Sequence, residues 1–172
     1  MQRTKINVME KQFVAFEIVA KRSTDNDDIK QDIIEKCISI ACKAHFQQRD
    51  RDGNAAILHP LVVGSMGKTD LEKCVGFLHD VVEDTDCTFE DLRKEGLPEE
   101  IIDALRLVTN QDGTDYYEYV QRIIDSGNQT AINVKLNDLH HNLARGKAFG
   151  YPELIAKHEK ALKMIEKSLE NI

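Results

Sequence analysis

The sequence has no apolar tract approaching the roughly 20 residues that a membrane-spanning helix needs. Its charged start, Met1-Gln2-Arg3-Thr4-Lys5, is not followed by the apolar core of a secretory signal. A soluble cytoplasmic protein is expected. Basic charge is also short: the formal net charge is −7, whereas a general nucleic-acid binder carries a surplus of lysine and arginine to replace phosphate counterions. A small anionic ligand is compatible with that charge, because a bound divalent cation and a few local basic side chains reverse the potential inside a cleft. The four cysteines, Cys37, Cys42, Cys74 and Cys87, lack the paired spacing of a thiolate metal site. Cys37 and Cys74 fall on apolar stripes, so reduced, buried thiols are expected in place of disulfides. No repeat, Pro/Ser/Gly linker or low-complexity tract divides the chain, and 172 residues make one domain with a core but not two ordinary ones.

Convincing strand alternation is missing, and helical spacing takes its place. Residues 1–27 read as an extension of unassigned role, containing Phe13-Val14-Ala15-Phe16-Glu17-Ile18-Val19-Ala20, which suits a short helix or a strand. The main domain is assigned to residues 28–172. It begins with Ile29, Ile33, Cys37, Ala41 and Ala44 at helical intervals behind a polar start. His59-Pro60 opens a short apolar helix after the charged turn Arg49-Asp50-Arg51-Asp52-Gly53. Thr69-Asp70-Leu71-Glu72 predicts a capping box, with Leu71, Val75, Leu78 and Val82 along one side. Thr88 and Pro98 start two further helices, Tyr116 to Ile124 and Thr130 to Leu143 give two more around Gly127, and a last stripe from Leu154 to Leu169 closes the chain. The predicted fold is all-α, an irregular helical bundle.

The chemistry concentrates in Leu78-His79-Asp80-Val81-Val82-Glu83-Asp84. An imidazole and a carboxylate side by side can hold one divalent cation, and Glu83 and Asp84 follow at i+4, on neighbouring parts of one helical face. Standing alone, His79 reads equally as a core histidine and the acidic pairs as a solvated helix end. His59 and Asp138 supply the partners such an ion would still lack. The mixed nitrogen and oxygen shell suits manganese, iron, zinc or magnesium better than a thiolate-seeking metal. Around Asp138, Lys135, Asp138 and Asn142 share one face of the predicted helix, while Ile132, Leu136, Leu139 and Leu143 point elsewhere.

The phrase Leu78-His79-Asp80-Val81-Val82-Glu83-Asp84-Thr85, with the earlier Ile57-Leu58-His59-Pro60 and the later Val134-Lys135-Leu136-Asn137-Asp138-Leu139, resembles the HD-domain metal-dependent phosphohydrolases. It is most similar to the RelA/SpoT branch, whose hydrolase domain removes the 3′-pyrophosphate of (p)ppGpp. The resemblance covers roughly residues 28 to 150. It implies an HD-type helical bundle with His59, His79, Asp80 and Asp138 as ligands of one ion, manganese by preference, and Glu83 and Asp84 positioning or deprotonating the attacking water. It further implies a nucleotide substrate, ppGpp or pppGpp, with GDP or GTP and pyrophosphate as products. No synthetase is expected, since the bundle uses the whole length.

Lys135 and Asn142 are candidates for substrate phosphate or ribose, and Lys43, Arg49 and Arg51 for gripping the pyrophosphate; each of these last three also reads as an ordinary surface charge. Here the chain departs from the long bifunctional Rel proteins: Asp50 stands where they carry an arginine, and Ala55-Ala56 where they carry Pro-Tyr. The turn looks closer to that of compact stand-alone HD proteins. A phosphohydrolase for another 3′-phosphorylated nucleotide, or a catalytically silent nucleotide sensor, is the alternative. His140 and His141 are not expected among the primary ligands, although His141, three residues after Asp138, is placed to reach one. His45 and His158 are expected at the surface or in packing, and the tyrosines 116, 117 and 119 mainly in packing.

Overall fold

The computed structural model describes residues 25–110 and 113–170, with side chains from residue 33 onward. The chain divides into two compact units, Met1–Ile33 and Ile34–Ile172. The Phe13–Ala20 stretch lies outside the described residues, and every side chain of the candidate site belongs to the second unit. Among the described residues the regular elements are helices: α1 (Asp25–Ala44), α2 (Leu58–Ser65), α3 (Asp70–Leu78), α4 (Val81–Asp84), α5 (Phe89–Lys94), α6 (Glu99–Val108), α7 (Tyr116–Asp125), α8 (Gln129–Phe149) and α9 (Pro152–Leu169). Among the described residues, β-pairing is one isolated bridge, Arg49 with Ala55, across the charged turn.

The helix starts follow local polar chemistry. Thr88 forms the expected kind of capping box, sharing bonds with Asp91. At Thr69 the box is only half formed. The Thr69 hydroxyl accepts from the Glu72 amide at 3.1 Å, but the Glu72 carboxylate turns to the Lys68 amide at 2.7 Å and to Asn133 Nδ2 at 2.8 Å. Glu72 is therefore a buried strut between α3 and α8, and a tertiary partner has outcompeted the local one.

The central element is α8, which packs on α2, α3, α6, α7 and α9. It runs past the expected end at Leu143, through Gly146, to Phe149, and stops at Gly150, whose φ of 74° is left-handed. Val134 and Leu139 of α8, Val75 and Leu78 of α3 and Ile102 and Leu105 of α6 are all fully buried, and α8 packs on both of the other helices. Cys37 and Cys74 are buried free thiols, as expected, while Cys42 is exposed and Cys87 partly so.

Helices α2 and α3 approach to backbone contact. A Cβ on Gly76 would lie 2.7 Å from Gly64 Cα, and one on Gly64 would lie 2.3 Å from the Phe77 ring. Two glycines that carry no periodic signal thus set the spacing between the helix that carries His59 and the helix that ends at Leu78, just before His79. Gly76→Ala is expected to cost about 1–3 kcal/mol, because the new carbon meets backbone and not a flexible side chain. A urea unfolding midpoint equal to that of the unaltered protein would show that the two helices are not in such contact.

Candidate metal centre

Three segments deliver one polar centre. His59 comes from the first turn of α2, His79 and Asp80 from the junction between α3 and α4, and Asp138 from the middle of α8. The sequence pattern suggests one unbroken helix through His79 and Asp84; instead α3 ends at Leu78, and α4 restarts at Val81 after Asp80 (φ −92°, ψ −9°). The cause is local. His79 Nδ1 lies 2.8 Å from the Gly76 carbonyl, the acceptor that the Asp80 amide would use in a continued helix. One turn of register survives, since the Asp84 amide donates to the Asp80 carbonyl at 2.8 Å.

The donor atoms crowd together. His59 Nε2 is 3.2 Å from His79 Nε2, 3.1 Å from Asp138 Oδ1 and 3.6 Å from Asp80 Oδ2. His79 Nε2 is 3.0 Å from Asp80 Oδ1 and 3.8 Å from Asp138 Oδ1. A carbonyl only accepts, so His79 carries its hydrogen on Nδ1 and presents a bare Nε2 lone pair when neutral. Two imidazole nitrogens and two carboxylates facing one another repel unless a cation stands among them. Ligands about 2.1 Å from a shared ion lie about 3.0 to 3.4 Å apart; the donor atoms of His59, His79 and Asp80 all lie within 4.8 Å of one another, and Asp138 Oδ1 flanks that group at 3.1 Å from His59 Nε2 and 3.8 Å from His79 Nε2. The donor set therefore fits a divalent metal.

Without a metal, protons must do that work. Burial disfavours an imidazolium at His79, but the adjacent Asp80 and Asp138 carboxylates outweigh it and push the group up to about 9. Burial likewise opposes ionisation of Asp138, yet Lys135, followed by His59 and His79, holds it well below the usual carboxylate range. Asp80 is lowered too, its burial overcome by His79. Lys135 donates to Asp138 Oδ2 at 2.8 Å and Asn142 to Oδ1 at 2.5 Å. The three residues do share a face as expected; the lysine is not a solvated surface charge but is buried against the Tyr119 and Tyr116 rings.

The centre opens into a cavity of about 630 Å³, whose wall includes Glu83, Asp84, Arg49, Asn142, Arg145 and Lys157. Glu83 and Asp84 are open to the cavity yet flanked by protein. Burial, then for Glu83 the charges of Asp80 and Asp84 and for Asp84 that of Asp80, raises both above ordinary carboxylates. A raised carboxylate is a better proton acceptor near neutrality. The Asn110 amide donates to Glu83 Oε2 at 2.8 Å and fixes its direction.

The remaining candidates separate. Arg49 lines the cavity; Lys43 is exposed and does not. Arg51 lies 5.4 Å over the Tyr151 ring and borders a smaller cavity of about 260 Å³ that shares Asp50, Asn142, Arg145 and His158 with the first. His140 is exposed, whereas His141 Nδ1 meets His59 Nδ1 at 2.7 Å. His45 and His158 are buried; His158 is packed beside the Tyr116 ring. Tyr119 is buried with its hydroxyl on the Val108 carbonyl, and Tyr116 lines the cavity.

Arg145 and Lys157 are additions to the residues that the sequence singles out. Arg145 donates to Asp50 at 2.8 Å and Asp52 at 3.0 Å, and the Tyr151 hydroxyl donates to Asp52 at 2.6 Å. The other Asp50 oxygen accepts the Asp52 and Asn54 amides, so Asp50 builds the turn as well as holding the arginine. Arg145 is legible in principle, being seven residues after Asp138 on the same helical face. Lys157 carries no comparable signal, since only tertiary folding brings α9 to this wall. Its ammonium lies 3.8 Å over the Tyr116 ring and is lowered by burial, with Lys135 adding to the effect.

No family model matches the chain. It is 34% identical over 109 residues to the guanosine-3′,5′-bis(diphosphate) 3′-pyrophosphohydrolase of Borreliella burgdorferi, covering 61% of this chain but 16% of that protein. It is 28% identical over 116 residues to the guanosine-3′,5′-bis(diphosphate) 3′-pyrophosphohydrolase MESH1 of Drosophila melanogaster, covering 63% of this chain and 64% of that one. A 66-residue match at 36% identity reaches a GTP pyrophosphokinase of Streptomyces coelicolor, covering 36% of this chain and 8% of that protein. The chain thus spans less than two thirds of the length of each of these relatives. Its fold is similar to the solved structure of a metazoan orthologue of SpoT described as hydrolysing ppGpp, with a TM-score of 0.56, 23% identity, and coverage of 78% of this chain and 94% of that one. The all-α fold expected from the sequence is the fold observed.

Two measurements test the centre. His79→Ala and Asp138→Ala are expected to lose stoichiometric divalent metal in elemental analysis after gel filtration; unchanged metal content in either would displace the site. Below about pH 9, metal entry must expel the proton that the carboxylates favour on His79. Affinity should therefore rise with pH by up to about tenfold per unit until that point, and a flat profile from pH 6 to 9 would contradict the assignment.

Proposed function

We propose that this chain is an HD-type, metal-dependent phosphohydrolase of the RelA/SpoT kind, which removes the 3′-pyrophosphate of ppGpp or pppGpp to leave GDP or GTP. The observation that carries the reading is the convergence of His59, His79, Asp80 and Asp138 on one wall of a cavity that also holds the Glu83-Asp84 pair and several cations. The relatives named for this activity support it. Manganese is the proposed ion, as the resemblance implies, and the mixed nitrogen and oxygen donor set is compatible with it. A free cytoplasmic nucleotide is the proposed substrate, and no helix among the described residues is long and apolar enough to cross a membrane.

When bound by the four donors, a divalent ion supplies Lewis acidity toward the phosphoryl group and lowers the pKa of water. The protein's own groups do the rest. Glu83 and Asp84 position the attacking water and one of the two accepts its proton, helped by the raised proton affinity of both. Lys135 and Asn142 hold Asp138 in place and meet substrate only at their free edges. Arg49, Arg51 and Lys157 offset the phosphate charge, with Lys157 half-buried at the cavity wall and stronger for it. Lys43 joins them only if the substrate reaches beyond the cavity.

A second reading, a hydrolase for another 3′-phosphorylated nucleotide, is favoured by the turn. Asp50 and Ala55-Ala56 depart from the Rel pattern, and Asp50 is engaged by Arg145. A silent sensor is disfavoured by the intact Glu83-Asp84 pair. A turnover panel of ppGpp, pppGpp, other 3′-phosphorylated nucleotides and nucleoside triphosphates separates these readings. Release of pyrophosphate from ppGpp with manganese is expected; efficient cleavage of another member alone moves the assignment, and silence on all members favours the sensor. Glu83→Gln and Asp84→Asn are expected to keep metal and lose at least about 100-fold in turnover, as removal of an acid–base group does. Loss of metal together with turnover in both would place the pair among the ligands.

A further inference from the structure

His59 and His79 are oriented by different means. His79 donates to a backbone carbonyl, which admits only one tautomer. His59 Nδ1 meets another imidazole, His141 Nδ1, at 2.7 Å. The ring planes lie within 10° and the centroids are 4.9 Å apart, nearly the sum of the N···N distance and the two ring radii. The rings therefore lie edge to edge in a common plane, with the nitrogens in line, which is hydrogen-bond geometry and not stacking. One nitrogen must donate and the other accept. His59 has a competing option. With its hydrogen on Nε2 it would donate to Asp138 Oδ1 at 3.1 Å, and that tautomer has no lone pair to offer a metal.

We infer that His141 is a positioning residue for the metal centre: by accepting from His59 Nδ1–H it suppresses the Nε2–H tautomer and keeps the His59 Nε2 lone pair directed at the ion. The partly exposed His141 then carries its own hydrogen on Nε2. This assigns a ligand-orienting role to a side chain that the motif pattern leaves outside the ligand set. An imidazole here does what a carbonyl or carboxylate does for most metal-bound histidines.

The inference rests on the metal centre proposed above, and its readout is metal affinity, which is independent of turnover. Manganese titration followed by electron paramagnetic resonance of the free ion should show His141→Ala weakened about 10–100-fold. His141→Asn, whose Oδ1 occupies the place of Nδ1 and can accept, should recover most of that loss. The unfolding midpoints of the metal-free proteins should coincide. In ¹⁵N-histidine spectra of the metal-free protein, the His59 hydrogen should move from Nδ1 toward Nε2 in the alanine variant and stay on Nδ1 in the asparagine variant. Affinity unchanged in His141→Ala, or equally weak in both variants, overturns the role of His141 while leaving the hydrolase reading in place. Absence of manganese binding by the unaltered protein overturns both the centre and this inference.

Discussion

A carboxylate almost without water, Asp138, is the group on which the rest of the centre depends. It stays ionised because Lys135, one turn away on the same helix and equally buried, lies against it at 2.8 Å. Removing either partner would leave an uncompensated charge in the core of α8. With both present, Asp138 keeps an ionised oxygen facing His59 Nε2 at 3.1 Å, so that an ion held between them would tie the longest described helix to the short apolar α2. The surrounding aromatic rings complete the arrangement: Tyr119 and Tyr116 lie 4.9 and 5.5 Å from the ammonium and shield the pair from solvent.

Most of the fold is legible in the sequence because its helices are punctuated by local chemistry. Thr88 and Pro98 act within their own turns, and the structure places helix starts where they stand. The differences concern groups with competing partners. Glu72 leaves its capping box for Asn133, a residue 61 positions away. His79 takes the Gly76 carbonyl and divides what periodicity suggests is one helix. A sequence window contains the local option but not the distant one, so local readings fail where a buried polar atom has a better offer elsewhere.

The site divides along the same line. The four donors sit in recognisable phrases, and the structure brings all four together. Apart from Lys135, the cations around them obey no phrase. Lys43 and Arg49 are close in sequence, yet only Arg49 reaches the cavity, and Lys157 arrives there from the last helix. Arg145 is instructive. Its carboxylate partner Asp50 stands out in the sequence as a departure from a pattern, but the compensating charge lies 95 residues further on.

The clamp made by Asp50, Asp52, Arg145 and Tyr151 fastens the 49–55 turn to α8 and to the start of α9. Loops that close over nucleotides commonly have to be ordered when the ligand arrives, and that ordering is subtracted from the affinity. A turn stapled at both carboxylates arrives already shaped. The turn side of this cavity is therefore shaped in advance, so that a ligand entering there would have to fit it and would gain little by pulling it closed.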